Sequence, residues 1–109
     1  MRDLKEEAWL LRKGSAGQLY AYARYIVKCR IPEFEKRLLE IDETGQWLYV
    51  YAYYAAGCRI SEFEKRLLEV DEEGTWLYQY ACYVAKCRIP ACERRLNHYG
   101  DLYVAAVPF

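Results

Sequence analysis

Histidine is almost missing from this 109-residue chain, with His98 alone, and serine outside a helix start is represented only by Ser15. A nucleophile paired with a base, and a base oriented by a third group, therefore lack their parts. No glycine-rich loop is present to cradle a phosphate. Catalysis is not expected, so no catalytic residue is nominated and no cofactor is invoked.

Net charge is missing as well, since sixteen basic and sixteen acidic residues cancel. A polyanion-seeking surface, or an acidic mimic of nucleic acid, would need a strong field of one sign. No apolar run approaches the roughly 18 uncharged residues of a spanning helix, so a membrane is not expected among the partners. The segment MRDLKEEAWLLRKG carries charges where a signal peptide needs its apolar stretch. Cysteine is odd in number, at five, which reads as reduced thiols in a cytoplasmic protein.

The excess is in tyrosine, twelve residues against three phenylalanines. A ring with a hydroxyl is favoured where burial and a polar partner coincide, at interfaces and in wet cores.

Self-comparison organises the chain. CRIPEFEKRLLE (Cys29 to Glu40), CRISEFEKRLLE (Cys58 to Glu69) and CRIPACERRLNH (Cys87 to His98) follow one another at an offset of 29. Upstream of them, Leu19-Tyr20-Ala21-Tyr22-Ala23, Leu48-Tyr49-Val50-Tyr51-Ala52 and Leu77-Tyr78-Gln79-Tyr80-Ala81 keep the same spacing. Each unit divides into a helix A, such as Trp47 to Cys58, and a helix B, such as Ser61 to Asp71. Ser61 and Glu64 have the spacing of a capping box. Pro32 and Pro90 mark the same start in the other copies, and Gly45 and Gly74 suit left-handed C-caps after helix B. The short A-to-B link at Arg59-Ile60 makes the two helices antiparallel.

Residues 2–13 imitate a leading B helix, because Glu7-Ala8-Trp9-Leu10-Leu11 echoes Glu35-Lys36-Arg37-Leu38-Leu39. Leu102-Tyr103-Val104-Ala105-Ala106 imitates the start of an A helix. The expected fold is all-α, a short α-solenoid of about eight antiparallel helices in one domain over 1–109. It comprises an N-terminal cap (2–17), repeats at 18–45, 46–74 and 75–100, and a C-terminal cap (101–109).

The pattern Y-x-Y-A followed by C-R-I-[PS]-x-x-E resembles a short helical repeat of uncharacterised phage and bacterial proteins. Tyr22-Ala23 with Arg30, Pro32 and Glu35 carry the likeness, as do Tyr51-Ala52 with Arg59 and Glu64, and Tyr80-Ala81 with Arg88, Pro90 and Glu93. Two departures are Ser61 in place of proline and a longer loop at Asp42 to Gln46. The resemblance implies an α-solenoid and a phage origin, and no activity. For a phage protein the partner would be a host protein, with a defence component as the target of an inhibitor.

At 100° per residue, helix A shows three stripes. Leu48, Ala52 and Ala55, with Leu19, Ala23, Ile26 and Leu77, Ala81, Val84, form the core. Tyr51, Tyr54 and Cys58, repeated as Tyr22, Tyr25, Cys29 and Tyr80, Tyr83, Cys87, read as packing between repeats. The third stripe varies: Ala21, Arg24, Lys28 become Val50, Tyr53, Gly57, then Gln79, Cys82, Lys86. An apolar centre with a polar rim describes a partner face, here Val50, Tyr53 and Gly57 with Arg24, Lys28, Gln79 and Lys86. On helix B, Phe63, Leu67 and Val70 point inward, while Glu62, Lys65, Arg66 and Glu69 make a solvated face.

The repeated Arg30, Arg59 and Arg88 with Glu35, Glu64 and Glu93 read as structural bridges that staple the A-to-B corner. The repeated cysteines lie too far apart for one tetrahedral zinc. Cys82, Cys87, Cys92 and His98 match no knuckle spacing, so no metal site is expected and buried thiols are the default. A protein partner is expected. Single-stranded nucleic acid, read by Tyr53, Arg24, Lys28 and Lys86, is the alternative that zero net charge disfavours. The acidic stretch from Ile60 to Glu73 and the basic one from Lys86 to His98 also permit self-association.

Overall fold

The B helices form where the sequence pattern places them. In the computed structural model, which describes residues 2–71, 74–87 and 89, they are α1 (Leu4–Lys13), α3 (Pro32–Ile41) and α5 (Ser61–Val70). Pro32 occupies the first turn of α3, where its missing N–H is no loss. Glu33 and Glu35 place negative charge at the positive end of that helix. Phe34 and Leu38 in α3, with Phe63 and Leu67 in α5, are sealed in the core. Each such side chain contributes about 1.5–3 kcal/mol through burial. Val70 is only half-buried, and the outer face carries the i,i+3 pairs Arg37–Glu40 and Arg66–Glu69.

The A helices start as α-helix and then widen. α2 (Ala16–Ala21) continues as a π-helix over Tyr22–Val27, α4 (Gln46–Val50) over Tyr51–Ala56, and α6 (Thr75–Gln79) over Tyr80–Ala85. The amides of Lys28, Gly57 and Lys86 close these segments by donating to the carbonyls of Ala23, Ala52 and Ala81, five residues back, each at 2.8 Å. π-Helix is rare in proteins and concentrates at functional sites, so its use in three successive repeats is a property of the unit.

The helices form two layers. α2, α4 and α6 lie side by side in one, α1, α3 and α5 in the other, and each A helix also touches the adjoining B helices. Among the described residues the protein is all-helical. The two further helices expected near the C-terminus, along with Cys92, Glu93 and His98, lie outside the described residues, as does the side chain of Arg88.

Helix starts differ from expectation. Ile60, not Ser61, is the N-cap of α5 and its side chain has no acceptor to cap the helix, while the Glu64 carboxylate is taken by Arg59 and Tyr80. The capping box is instead Ser15 with Gln18. Gly45 and Gly74 are left-handed, but they are N-caps of α4 and α6 and not C-caps of the B helices. Ahead of them stands a buried aspartate. Asp42 accepts from the amides of Thr44, Gly45, Trp47 and Leu48, and Asp71 from those of Gly74, Trp76 and Leu77.

A polar node joins one repeat to the next. Arg30 holds Glu35 in a two-pronged bridge at 2.8 and 2.7 Å. The hydroxyl of the buried Tyr51 donates to Glu35 at 2.7 Å and accepts from the Ile31 amide at 2.9 Å. Arg59, Glu64, Tyr80 and the Ile60 amide repeat the arrangement, and Arg2, Glu7, Tyr22 and the Asp3 amide begin it. The Arg–Glu staple was expected at the corners; the tyrosine hydroxyl that extends it into the following repeat was not. The hydrogen bonds from Arg2 hold the Glu7 carboxyl below its usual range despite burial, helped by the Tyr22 hydroxyl. At Glu64 burial pushes upward, and the hydrogen bonds from Arg59 and Tyr80 outweigh it, leaving a net depression. Burial drives the hydroxyls of Tyr51 and Tyr80 well above the ordinary tyrosine range.

Tyr51→Phe strips the node of a hydroxyl and orphans the Ile31 amide, so it is expected to cost about 1–3 kcal/mol in urea denaturation. Tyr54→Phe, on the surface, is expected to stay within about 0.5 kcal/mol. The depressed Glu7 and Glu64 carboxyls stabilise the fold above the ordinary carboxylate pKa of about 4.3. That contribution is lost as pH falls through their folded values. Stability measured against pH is therefore expected to decline from near the ordinary carboxylate pKa downward, with a shallower decline in Glu64→Gln.

Candidate functional site

Neighbouring residues of a regular α-helix diverge by 100° and do not face one another. In the π segments each turn holds more than 3.6 residues, the angular step shrinks, and neighbouring side chains can run side by side. Tyr53 and Tyr54 do so, with ring centroids 4.6 Å apart and planes 12° from parallel. Tyr53 then stacks on Tyr83 of the next repeat, 6.1 Å away and 9° from parallel. One repeat earlier the same place is taken by Arg24, whose guanidinium lies 4.1 Å from the centroid of Tyr54 and 5.1 Å from that of Tyr25. Arg24 and Tyr53 are equivalent positions, each sandwiched between the tyrosine of its own repeat and that of the next.

The result is a ladder of planar groups, Tyr25–Arg24–Tyr54–Tyr53–Tyr83, running across the three described A helices. Its tyrosines are open to solvent, from 41% at Tyr53 to 59% at Tyr25. A second row supports it from beneath. Trp47 packs on Tyr20 at 5.8 Å and Trp76 stacks on Tyr49 at 5.9 Å, while Tyr20 takes a hydrogen bond from Arg24 at 3.1 Å. Burial pushes the Tyr49 hydroxyl up to about 12.

The nominated partner face is partly assembled. Tyr53, Gly57 and Lys86 come together with Ala52, Tyr83 and Val84 around a cavity of about 210 Å³. Arg24 lies in the ladder, and Lys28 is exposed at the end of its π segment. Val50 and Gln79 are half-buried, and Val50 packs against the core.

Two readings of the stripes need correction. The Tyr–Cys stripe does not pack as one: Tyr22, Tyr51 and Tyr80 are sealed, whereas Tyr54 and Tyr83 meet the preceding repeat, as expected, at Arg24 and Tyr53 but do so at the surface, and Tyr25 is exposed. Cys29 is exposed and Cys58 and Cys87 are half-buried, so they are not buried apolar thiols. Arg30 and Arg59 reach the sulfurs of Cys58 and Cys87 at 3.6 and 3.5 Å. Ile26, assigned to the core, is 45% exposed, whereas its equivalents Ala55 and Val84 are half-buried between helices. Adjacent aromatics at a helix end, as in Tyr53-Tyr54, were the available signal for the ladder, and a fixed 100° wheel separates them into different stripes.

Among the described residues no group of histidines, cysteines and acids is arranged to hold a metal ion, and no helix is long and apolar enough to cross a membrane.

The rim of the ladder stores backbone strain. Lys28 and Lys86 adopt left-handed φ values of 63° and 57°, where the middle repeat places Gly57 at 67°. A side chain there costs about 1–2 kcal/mol, against about 0.5–1 kcal/mol for the extra entropy that glycine loses on folding. Lys28→Gly is therefore expected to stabilise the protein by about 0.5–1 kcal/mol. A Cβ at Gly57 meets nothing within 4 Å, so Gly57→Ala is expected to destabilise by a similar amount through conformation alone. The shift in urea midpoint measures both.

Comparison with known proteins finds no match to the chain among family models, curated proteins or solved structures.

Proposed function

We propose that the protein is a non-catalytic helical-repeat module that binds a protein partner in the cytoplasm. In this reading it is a short α-solenoid of about eight helices, three 29-residue repeats between capping helices. The two rows of helices and extents of 46 × 22 × 17 Å support a linear stack. The observation that carries the function is the exposed ladder of Tyr25, Arg24, Tyr54, Tyr53 and Tyr83. Tyrosine and arginine are the side chains that protein interfaces enrich and that dominate their binding energy. Stacking already orders these rings, so less side-chain entropy is lost when a partner covers them. The likeness to phage helical repeats supports a host protein as the partner, blocked by occupation of this face.

A second reading, a single-stranded nucleic acid stacked along the rings, draws on the exposed cations Lys28 and Lys86 beside the ladder. The zero net charge supports the protein partner over it.

Affinity capture from host lysate and anisotropy with labelled single-stranded oligonucleotides separate the two. The captured protein is expected to stay bound between about 50 and 200 mM salt. Tyr53→Ala is expected to weaken its binding about tenfold or more. Oligonucleotide binding that collapses over the same salt range, with no protein retained, would refute the proposal.

A further inference from the structure

A cavity lies at the leading end of the A row. It measures about 320 Å³, and Glu6, Trp9 and Leu10 of α1 line it together with Gln18, Tyr25 and Ile26 of α2 and its π segment. Its place in the repeat identifies it. Gln18 and Tyr25 occupy the positions of Trp47 and Tyr54 in the second repeat and of Trp76 and Tyr83 in the third. Those are the residues through which each A helix meets the one before it: Trp47 on Tyr20, Tyr54 on Arg24, Trp76 on Tyr49 and Tyr83 on Tyr53. Among the described residues no A helix precedes α2. The cavity has the place of an inter-repeat seat that no helix among the described residues fills, and glutamine stands there where the other repeats carry tryptophan.

The protein itself shows what such a seat accepts. At Tyr54 the occupant is the Arg24 guanidinium, and at Tyr83 it is the ring of Tyr53. Charge decides between a cation and a neutral ring at Tyr25. Glu6 stands where α3 and α5 carry the sealed Phe34 and Phe63, so this seat has a carboxylate in its wall. A guanidinium stacked on Tyr25 would gain both the ring face and a charge-assisted hydrogen bond. Its aliphatic stem would run along the exposed Trp9 and Ile26.

We propose that the cavity between α1 and α2 receives an arginine side chain carried on a helix of the protein partner, stacked on Tyr25 with its charge against Glu6. This rests on the protein-binding reading and adds the chemistry of one contact at the end of the ladder.

The test uses a labelled peptide with the sequence of residues 16–28, the segment that fills the corresponding seat one repeat on, titrated against the full chain by anisotropy. Saturable binding is expected, weakened about tenfold by R24Q in the peptide and by Glu6→Gln or Tyr25→Ala in the protein. Tyr83→Ala, at the other end of the ladder, is expected to leave it unchanged. Glu6 is exposed, so the Glu6→Gln protein is expected to melt like the parent, which excludes misfolding as the cause of any loss. Equal binding of the R24Q peptide, indifference to Glu6→Gln, or absence of binding would overturn the assignment. So would displacement of the peptide by a second copy of the chain, seen as self-association in sedimentation that Glu6→Gln does not weaken. None of these results touches the reading of the ladder, which fails separately if Tyr53→Ala leaves capture of a host protein intact.

Discussion

A carboxylate taken out of water must be paired or neutralised, and among the described residues the fold answers this demand three times in the same way. Glu7 and Glu35 are buried, and Glu64 is largely so. Each is gripped by an arginine fork from the corner before its own helix and by a tyrosine hydroxyl from the helix after it. Three segments thus converge on one charge, and removing any member leaves an unsatisfied group in a place of low dielectric. The hydroxyl also accepts the free amide at the N-cap, Ile31 or Ile60, which no capping side chain serves. One tyrosine therefore completes an ion pair and a helix start together.

The surface follows from that constraint. Tyr51 and Tyr80 point inward to reach their carboxylates, and within the π segments the rings three positions later lie at the surface instead of on the same face. The π-helical widening begins at the inward tyrosine and brings the outward one beside its neighbour. Arg24 and Tyr53, at the variable position, then fill the gap between successive outward rings. The invariant tyrosines set the spacing of the ladder and the variable residue sets what each rung offers. Charge is added at Arg24, aromatic area at Tyr53, and a thiol stands at the same position in Cys82, whose pKa burial raises.

Much of this architecture was legible in the residues. The 29-residue period and the B helices were read close to their observed bounds, because proline, phenylalanine and leucine at helical spacing state both start and inner face. The Arg–Glu staple was legible because both partners repeat at helix ends. Three features escaped. A capping box was read at Ser61 and Glu64 from spacing, but the carboxylate has a stronger claim from Arg59 and Tyr80, and nothing local reveals a partner 16 residues away. The clasps of Asp42 and Asp71 were hidden because loop aspartates look like ordinary turn residues until the helix amides fold onto them. The π-helix has no composition signal of its own, so a wheel of fixed step placed Tyr25, Tyr54 and Tyr83 in the wrong environment and divided the candidate site between two stripes.

The reach of the bonds has a further consequence, for the order in which the chain is assembled. The Asp42 clasp closes within six residues, whereas the Tyr51 bonds to Glu35 and Ile31 span 16 and 20. Each of the three nodes among the described residues points the same way, from a corner and its B helix forward to the next A helix. A nascent chain leaving the ribosome can thus seal its first unit when the second tyrosine helix emerges, and its second when the third does. For the described nodes synthesis and folding share one direction, and none of their three carboxylates waits for the far terminus before its charge is matched.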